Sequence, residues 1–389
     1  MMNVDSLKLD RLRSFRTNRK VTVLGAGPMS RTFIEVVISE ANRIAKPILL
    51  IPSKRQITSE AEGGGYVENW SSAEFCHFVR EQDIGGFVLL ARDHSGPWQG
   101  NPSEGSTLES ELARTELSLR DDIEHGFDII HCDPSLALKR GASESDVVNI
   151  AVKMAIQIKE ISTAIGRTVG IEVGTDEQVE GVENLSRTLS KARYVYDAFQ
   201  AHSLDSPLYY VAQTGTKVAG TRNIGIVESG LIPKRQVHPY SLLSGTASGL
   251  REIGMGLKVH NGDYLSTELL RWHRRLGLDA MNVAPEFGVV ESRFLLQMAK
   301  KYRIEDELDA WAAEVMREGN WRRWAEPHDT VGSERSVELA GHYHFAGTQG
   351  KNLRSKLKTA MGDEGESFDQ QLRATLLGAL RRYLTSFGY

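Results

Sequence analysis

Residues 86–97 read GFVLLARDHSGP, an apolar run that stops at the charged segment Arg92-Asp93-His94. Continuous apolar strands that alternate with amphipathic segments are typical of parallel strands buried on both faces by helices. Eight such units predict a closed (β/α)8 TIM barrel, and a doubly wound open sheet with an added domain stays open as the alternative. The seven other runs are VTVLG from 21, PILLI from 47, FDIIH from 127, TVGIEV from 168, LYYVAQ from 208, MGLKVH from 255 and LDAMNV from 278.

The spacing of the runs divides the 389 residues into three parts. We predict an N-terminal extension over 1–20, the barrel over 21–303 and a helical C-terminal extension over 304–389. The C-terminal part ends in the helical pattern QQLRATLLGALRRYL, and we expect it to cover the barrel or a partner chain. Helices between the strands are predicted over 31–45, 108–125, 145–165, 185–200 and 287–302.

Composition excludes several classes of protein. The 47 Lys and Arg against 51 Asp and Glu leave a net charge of −4, so no positive excess exists to neutralise nucleic acid or an anionic membrane. No segment approaches the roughly 18 apolar residues of a membrane span. Two cysteines provide neither a disulfide framework nor a four-thiolate metal site. We therefore expect a cytoplasmic protein without nucleic-acid or membrane partners.

Polar residues stand where the predicted strands end. Because the carboxyl ends of barrel strands meet at one mouth, these side chains are expected to converge there. His94, Glu172 and His260 form a nitrogen and oxygen donor set that suits Zn²⁺ with open positions. Asp93, next to His94, is placed to handle a proton beside the metal. The sequence therefore predicts a metal site at the mouth.

Four segments, taken in order, resemble a known family. They are Gly64-Gly65-Tyr66, Asp93-His94-Ser95-Gly96-Pro97, His131-Cys132-Asp133-Pro134-Ser135 and His260-Asn261-Gly262-Asp263-Tyr264. They look like the GatZ/KbaZ-type subunit of class II D-tagatose-1,6-bisphosphate aldolase, a non-catalytic-type subunit. The resemblance runs from about residue 20 to residue 303, with a weaker echo over 321–345.

The resemblance implies a TIM barrel related to zinc-dependent class II aldolases. It implies a divalent metal, with Zn²⁺ the expected ion, held by His94, Glu172 and His260. Asp93 then donates and accepts a proton, and Asn282 steadies an enediolate. Candidate substrate-binding residues follow the last three strands: Gln213, Gly215, Lys217, Gly262, Asp263 and Glu286.

The chain also departs from the catalytic pattern at two loops. The segment 215–220 has no histidine where catalytic class II aldolases carry a third metal ligand, and Glu286 presents a carboxylate that repels phosphate. One hypothesis is a metal-dependent aldolase or epimerase (a lyase-type enzyme) acting on a ketose or ketose phosphate. The other is a non-catalytic subunit that supports a separate class II aldolase chain. We expect a homo-oligomer or a hetero-oligomer with such a chain.

Three further motifs favour ordinary structural roles. The segment 25–28 imitates a dinucleotide-binding turn, but it lacks the third glycine, and no acid follows the second strand. The glycines at 63–65 are not followed by the Lys-Ser/Thr of a phosphate-binding loop, so a loop over the mouth is preferred. His342 and His344 flank a tyrosine in an aromatic tail, where packing is favoured over a second metal site.

Overall fold

The computed structural model describes residues 4–18, 21–175, 184–229, 238–326, 332–362 and 367–389. In these parts of the chain, no helix is both long enough and apolar enough to cross a membrane.

Eight parallel strands close into a barrel in the order β1-β10-β9-β6-β5-β4-β3-β2. The closed barrel that the sequence predicted is thus confirmed, and the open-sheet alternative is excluded. Two very short strands, β7 and β8, form an antiparallel hairpin in the loop after β6. The strands are β1 (Val23–Ala26), β2 (Ile48–Leu50), β3 (Val88–Ser95), β4 (Ile129–Cys132), β5 (Gly170–Gly174), β6 (Tyr209–Val211), β7 (Val218–Ala219), β8 (Arg222–Asn223), β9 (Gly256–Val259) and β10 (Ala280–Val283).

Helices cover the outside of the barrel, and the five that the sequence predicted agree with the structure to within two residues at each end. Side-chain oxygens of Ser30, Thr107 and Ser143 accept backbone N–H bonds at three of these N-termini, which explains why the helices begin there. The helices are α1 (Val4–Asn18), α2 (Arg31–Ile44), α3 (Ser72–Gln82), α4 (Leu108–His125), α5 (Glu144–Ala164), α6 (Leu185–Ala201), α7 (Ile226–Ser229), α8 (Pro239–Glu252), α9 (Thr267–Arg275), α10 (Pro285–Lys301), α11 (Glu305–Glu318), α12 (Ser333–Ala340), α13 (Thr348–Met361) and α14 (Phe368–Phe387).

The N-terminal helix α1 closes the amino end of the barrel. Its apolar side chains pack into the cluster that fills the lower barrel interior, which contains Leu9, Leu12, Phe15, Val23, Leu49, Leu89, Ile129 and Ala280. Lys8 Nζ donates to the Val88 carbonyl at 2.9 Å, and Arg16 Nη1 donates to the Leu208 carbonyl at 2.8 Å. The helix of the predicted N-terminal extension therefore covers the amino end of the barrel.

The last helix of the C-terminal part, α14, lies in the same outer layer as the helices of the barrel. Helix α14 packs against α9, α10 and α2 and also contacts β1. The hydroxyl of Tyr389, just beyond it, accepts a hydrogen bond from Leu24 N at 3.0 Å and donates to the Pro47 carbonyl at 2.8 Å. The remaining tail helices α11, α12 and α13 pack around α10.

Candidate metal and active site

A bulge at the end of β3 aims two neighbouring side chains at the mouth. Arg92 pairs with Ile130 of β4, but Ser95 pairs with Cys132, so the register shifts between them. His94 adopts a left-handed backbone conformation with φ 52°, which is uncommon for a residue other than glycine. Adjacent residues of a regular strand point to opposite faces, and the bulge removes that constraint. As a result His94 Nε2 lies 3.6 Å from Asp93 Oδ2.

Period-two alternation points further polar side chains into the barrel. Tyr209 and Ala280 belong to the interior cluster, and each strand carries an inward residue at every second position. His131 follows Ile129 by two positions, and Asn282 follows Ala280 by two. The register pairs His131 with Glu172, and Lys258 stands two positions before His260. Interior side chains just below the mouth are therefore polar: His131, Glu172, Lys258, His260 and Asn282.

Three imidazoles surround the carboxylate of Asp93. Its Oδ1 atom lies 3.7 Å from His131 Nδ1 and 3.6 Å from His260 Nε2. The ring centroids of the three histidines are separated by 4.7, 5.2 and 5.3 Å. Asn282 Nδ2 donates to Asp93 Oδ1 at 3.2 Å. The structure thus brings together the predicted residues Asp93, His94, His260 and Asn282 and adds His131, which the sequence reading had not assigned to the metal.

Asp133 orients the His94 ring from behind. Its Oδ2 atom lies 2.6 Å from His94 Nδ1 and accepts a further bond from Gln99 Nε2 at 2.9 Å. A carboxylate on one ring nitrogen fixes the orientation of the other, as in many metal-binding histidines. Burial alone would lower the pKa of His94, but the carboxylates of Asp93 and Asp133 outweigh it and raise that pKa to about 9.

The charges in the cluster favour an ionised Asp93. Burial opposes the charge on this carboxyl, but the charge of His94, a hydrogen bond with His131 and the charge of Lys258 hold its pKa well below the ordinary value. His260 behaves in the opposite way, because burial keeps its pKa well below the ordinary range despite the neighbouring Asp93. A base in its carboxylate form therefore lies between a neutral His260 and a protonated His94. Because metal binding requires neutral imidazole, a metal ion that binds His94 would release its proton.

Glu172 occupies a different position from the imidazoles. Both of its oxygens accept hydrogen bonds from Lys258 Nζ, at 2.8 and 2.7 Å, and the two side chains are each 1% exposed. The carboxylate is thus part of a buried ion pair in the barrel interior, and its role as a metal ligand stays a prediction. The sequence analysis does not single out Lys258, although it is the one charged residue in the run MGLKVH and stands two positions before His260.

The loop after β6 rests against the mouth beside His260. Thr216 Oγ1 donates to the His260 carbonyl at 2.8 Å, and Asn223 Nδ2 donates to the Asn261 carbonyl at 2.8 Å. The hairpin β7-β8 is part of this loop. Three predicted substrate-binding residues belong to this loop, and their contact with a substrate stays a prediction: Gln213, Gly215 and Lys217.

The other predicted substrate-binding residues tie the loops after β9 and β10 to α14. Asp263 Oδ1 accepts from the backbone N–H groups of Ala284 and Glu286, each at 2.9 Å. Glu286 accepts from Arg382 Nη2 at 2.7 Å and from the hydroxyl of Tyr383, which also lies 3.3 Å from the Gly262 carbonyl. All of these contacts are within the protein, so substrate binding by Gly262, Asp263 and Glu286 likewise stays a prediction.

The arrangement fits a divalent metal ion. His260 Nε2 and Asn282 Oδ1 are buried polar atoms without a hydrogen-bond partner in the described parts of the chain. Glycine keeps space open beside the cluster, because a Cβ at Gly25 would lie 2.3 Å from Asn282 Oδ1 and one at Gly174 would lie 2.6 Å from His131 Nε2. Imidazole and carboxylate donors are the set that Zn²⁺ accepts with open positions.

One cluster of three or more metal-binding groups exists among the described residues, and it consists of Asp93, His94 and His131 with donor atoms within 4.8 Å of one another. His342 and His344, in contrast, are buried in the tail, where His342 packs against Tyr343 and Tyr66. The sequence contained evidence for the position of His131. It ends the run FDIIH two positions after Ile129, so both side chains point to the same face of the strand, toward the barrel interior.

Comparison with known proteins shows the fold. No protein-family model matches the sequence, and no curated protein matches it. A structure described as a probable tagatose 6 phosphate kinase from Sinorhizobium meliloti 1021 is similar, with 16% identity and a TM-score of 0.75 over 94% of this chain and 100% of that one. A fructose-bisphosphate aldolase (Fba) from Campylobacter jejuni has 9% identity and a TM-score of 0.56 over 99% and 95%.

Proposed function

We propose that the chain is a divalent-metal-dependent aldolase or epimerase that acts on a ketose or ketose phosphate. The observation that carries the proposal is the convergence of Asp93, His94, His131 and His260 at the carboxyl end of a TIM barrel, where catalytic residues of this fold lie. The names of the two similar structures, for tagatose 6 phosphate and fructose bisphosphate, support a sugar or sugar phosphate as the substrate.

His94, His131 and His260 would hold the ion, so that His131 takes the role that the sequence assigned to Glu172. A bound divalent ion, for which Zn²⁺ suits these donors, supplies a Lewis acid that polarises a substrate carbonyl. Asp133 keeps the His94 ring in place through its 2.6 Å contact. The Lys258–Glu172 pair lies in the barrel interior beside His131, with which Glu172 pairs in register, and adds no net charge.

Asp93 is the proposed proton carrier. In aldol cleavage its carboxylate takes the proton of the substrate hydroxyl, that oxygen becomes a carbonyl as the C–C bond breaks, and the electron pair of the bond passes to an enediolate. Re-formation of the bond on the other face of the aldehyde, with the proton returned by Asp93, gives the epimer instead. Asn282 Nδ2 holds the Asp93 carboxylate at 3.2 Å, and its buried Oδ1 has no partner among the described residues.

The first experiment measures metal. Elemental analysis of the purified wild type, followed by Zn²⁺ titration of stripped protein, is expected to show one ion per chain. His131→Ala is expected to weaken binding by at least about tenfold, as loss of groups around metal sites commonly does. His77→Ala is the control, because this side chain is 74% exposed on α3. Equal binding of Zn²⁺ by the wild type and His131→Ala would contradict the proposed metal site.

The second experiment measures turnover. Wild type and Asp93→Asn are assayed with Zn²⁺ on a panel of ketoses and ketose phosphates, with aldehyde release and epimer formation followed separately. We expect metal-dependent turnover that Asp93→Asn lowers by about 10²-fold or more while the metal stays bound. Turnover that appears only after a separate class II aldolase chain is added would favour the non-catalytic subunit instead, a role consistent with the absence of histidine at 215–220.

A further inference from the structure

A cavity of about 710 Å³ lies at the amino end of the barrel, opposite the mouth. Its walls are the C-terminal ends of α1, α8 and α9 together with the segments that lead into β1 and β10. Sites for small molecules measure roughly 300–1,000 Å³, so the cavity is of the right size for one. We infer that it binds a small anion carrying two or more phosphate groups.

Positive charge dominates the lining. Arg16 comes from α1, Arg251 from α8, and Arg274 and Arg275 from the last turn of α9. Asp279 is the one carboxylate among the lining residues of the described chain. The cavity is therefore lined by four guanidinium groups and one carboxylate. A guanidinium group binds phosphate through two parallel hydrogen bonds.

The carboxylate of Asp279 is already engaged by the protein. Its Oδ2 atom accepts from Leu257 N at 2.9 Å, and its Oδ1 atom lies 3.5 Å from Arg251 Nη2. Arg251 Nη2 also donates to the Gly277 carbonyl. Asp279 and Arg251 thus satisfy each other, and the charge that remains in the cavity comes from the other three arginines.

Arg274 and Arg275 are the least engaged of these arginines, and Arg275 contacts the ring of Trp272, whose centroid lies 5.5 Å from its Cζ atom. Arg16 Nη1 donates to the Leu208 carbonyl at 2.8 Å, but within the described residues the side chains of Arg274 and Arg275 form no hydrogen bond or ion pair. The Nε atom of Arg274 is buried without a hydrogen-bond partner. A buried donor left unpaired is unfavourable, and an anionic ligand would satisfy it.

Helix-dipole effects account for only part of this arrangement. A basic residue in the last turn of a helix is stabilising, which explains one arginine on each helix. It does not explain the cavity or the unpaired Nε of Arg274. Ser244 and Ser248 also stand one turn apart on α8 and line the same space, where hydroxyls add hydrogen bonds to phosphate oxygens.

The site is separate from the proposed active site. Residues 277–279 lie before β10, whereas Asn282 of the candidate active site lies near its carboxyl end. A ligand bound here does not meet Asp93 or the histidines, so it would act as an effector or a stabilising ligand. The inference therefore stands whether or not the proposed function is correct.

Calorimetry with inorganic pyrophosphate, at about 0.15 M ionic strength, tests the inference on the full-length chain. We expect one pyrophosphate per chain and at least tenfold weaker binding of inorganic phosphate. The double variant Arg274→Gln/Arg275→Gln is expected to weaken pyrophosphate binding at least tenfold. Arg317→Gln is the matched control, because this arginine is 69% exposed on α11. Asp93→Asn is expected to bind pyrophosphate as the wild type does.

Three results would overturn the inference. They are the absence of pyrophosphate binding at millimolar concentration, equal binding by the wild type and the double variant, and loss of binding in Asp93→Asn, which would place the ligand at the mouth. Circular dichroism and thermal melting of each variant establish that it is folded. If the double variant does not fold, the single variant Arg275→Gln, at an exposed position, carries the same comparison.

Discussion

Lys258 Nζ lies 2.8 and 2.7 Å from the two carboxylate oxygens of Glu172 inside the barrel, and Lys258 stands on β9 two positions before His260. The two charges compensate each other where water cannot reach them, since each side chain is 1% exposed. Because both oxygens of Glu172 accept hydrogen bonds from Lys258, this carboxylate is less available to a metal ion than its place at a strand end indicates.

Removal of one member of this pair should be costly. We expect Lys258→Met to lower the free energy of unfolding by about 3–5 kcal/mol, because Glu172 is then left as a buried charge without a partner. The double variant Lys258→Met/Glu172→Leu should recover much of the loss. Urea denaturation of both variants measures the difference, and a single variant within about 0.5 kcal/mol of the wild type would contradict the prediction.

Gly25 controls the position of Asn282. A Cβ at Gly25 would lie 2.3 Å from Asn282 Oδ1, so Gly25→Ala should push the amide away from Asp93 without removing any polar group. If Asp93 is the proton carrier, we expect turnover to fall by about 10²-fold, since displacements of about 1 Å have effects of this size. Turnover of the best substrate from the panel measures this. Unchanged turnover would show that the placement of Asn282 is unimportant.

Asp263 should make stability depend on pH. Its burial and the nearby charge of Glu286 raise its pKa from 3.8 to about 7. Between these values the folded state holds a proton that the unfolded chain has released, so stability falls as pH rises through this window, by at most about 4 kcal/mol. Asp263→Asn keeps an oxygen for the two backbone N–H groups and should remove this fall.

Urea denaturation of the wild type and Asp263→Asn at several pH values in that window measures the effect. We expect the variant to gain stability relative to the wild type as the pH rises from about 4 to about 7. A difference between the two proteins that does not change with pH would mean that Asp263 is ionised throughout.

Two helical glycines should respond oppositely to alanine. A Cβ at Gly378, on the exposed face of α14, meets nothing within 4 Å, so Gly378→Ala should stabilise the protein by about 0.5–1 kcal/mol. A Cβ at Gly288 of α10 would lie 2.7 Å from the side chain of His342, so Gly288→Ala should destabilise it. Thermal melting of both variants measures the contrast. Melting temperatures that shift in the same direction would contradict this account of the packing.

The barrel could be predicted because it depends on a local pattern. Eight apolar runs of strand length, separated by segments long enough for crossover helices, allow few arrangements other than a closed parallel sheet. The same pattern placed Asp93, His260 and Asn282 at one mouth, since each follows directly on the apolar part of its strand. The helix ends were predictable as well, because Ser30, Thr107 and Ser143 act through bonds to residues only a few positions away.

The sequence by itself therefore determined the fold and the end of the barrel where the polar side chains meet. Only the tertiary structure decided which of them share a cluster, because that choice depends on distances between strands that are far apart in the chain. Lys258 and Glu172 are 86 positions apart and pair with each other, whereas His131 joins Asp93 and His94. The bulge at His94 likewise arises from the register of β3 on β4, and this pairing leaves no periodic signal in one strand.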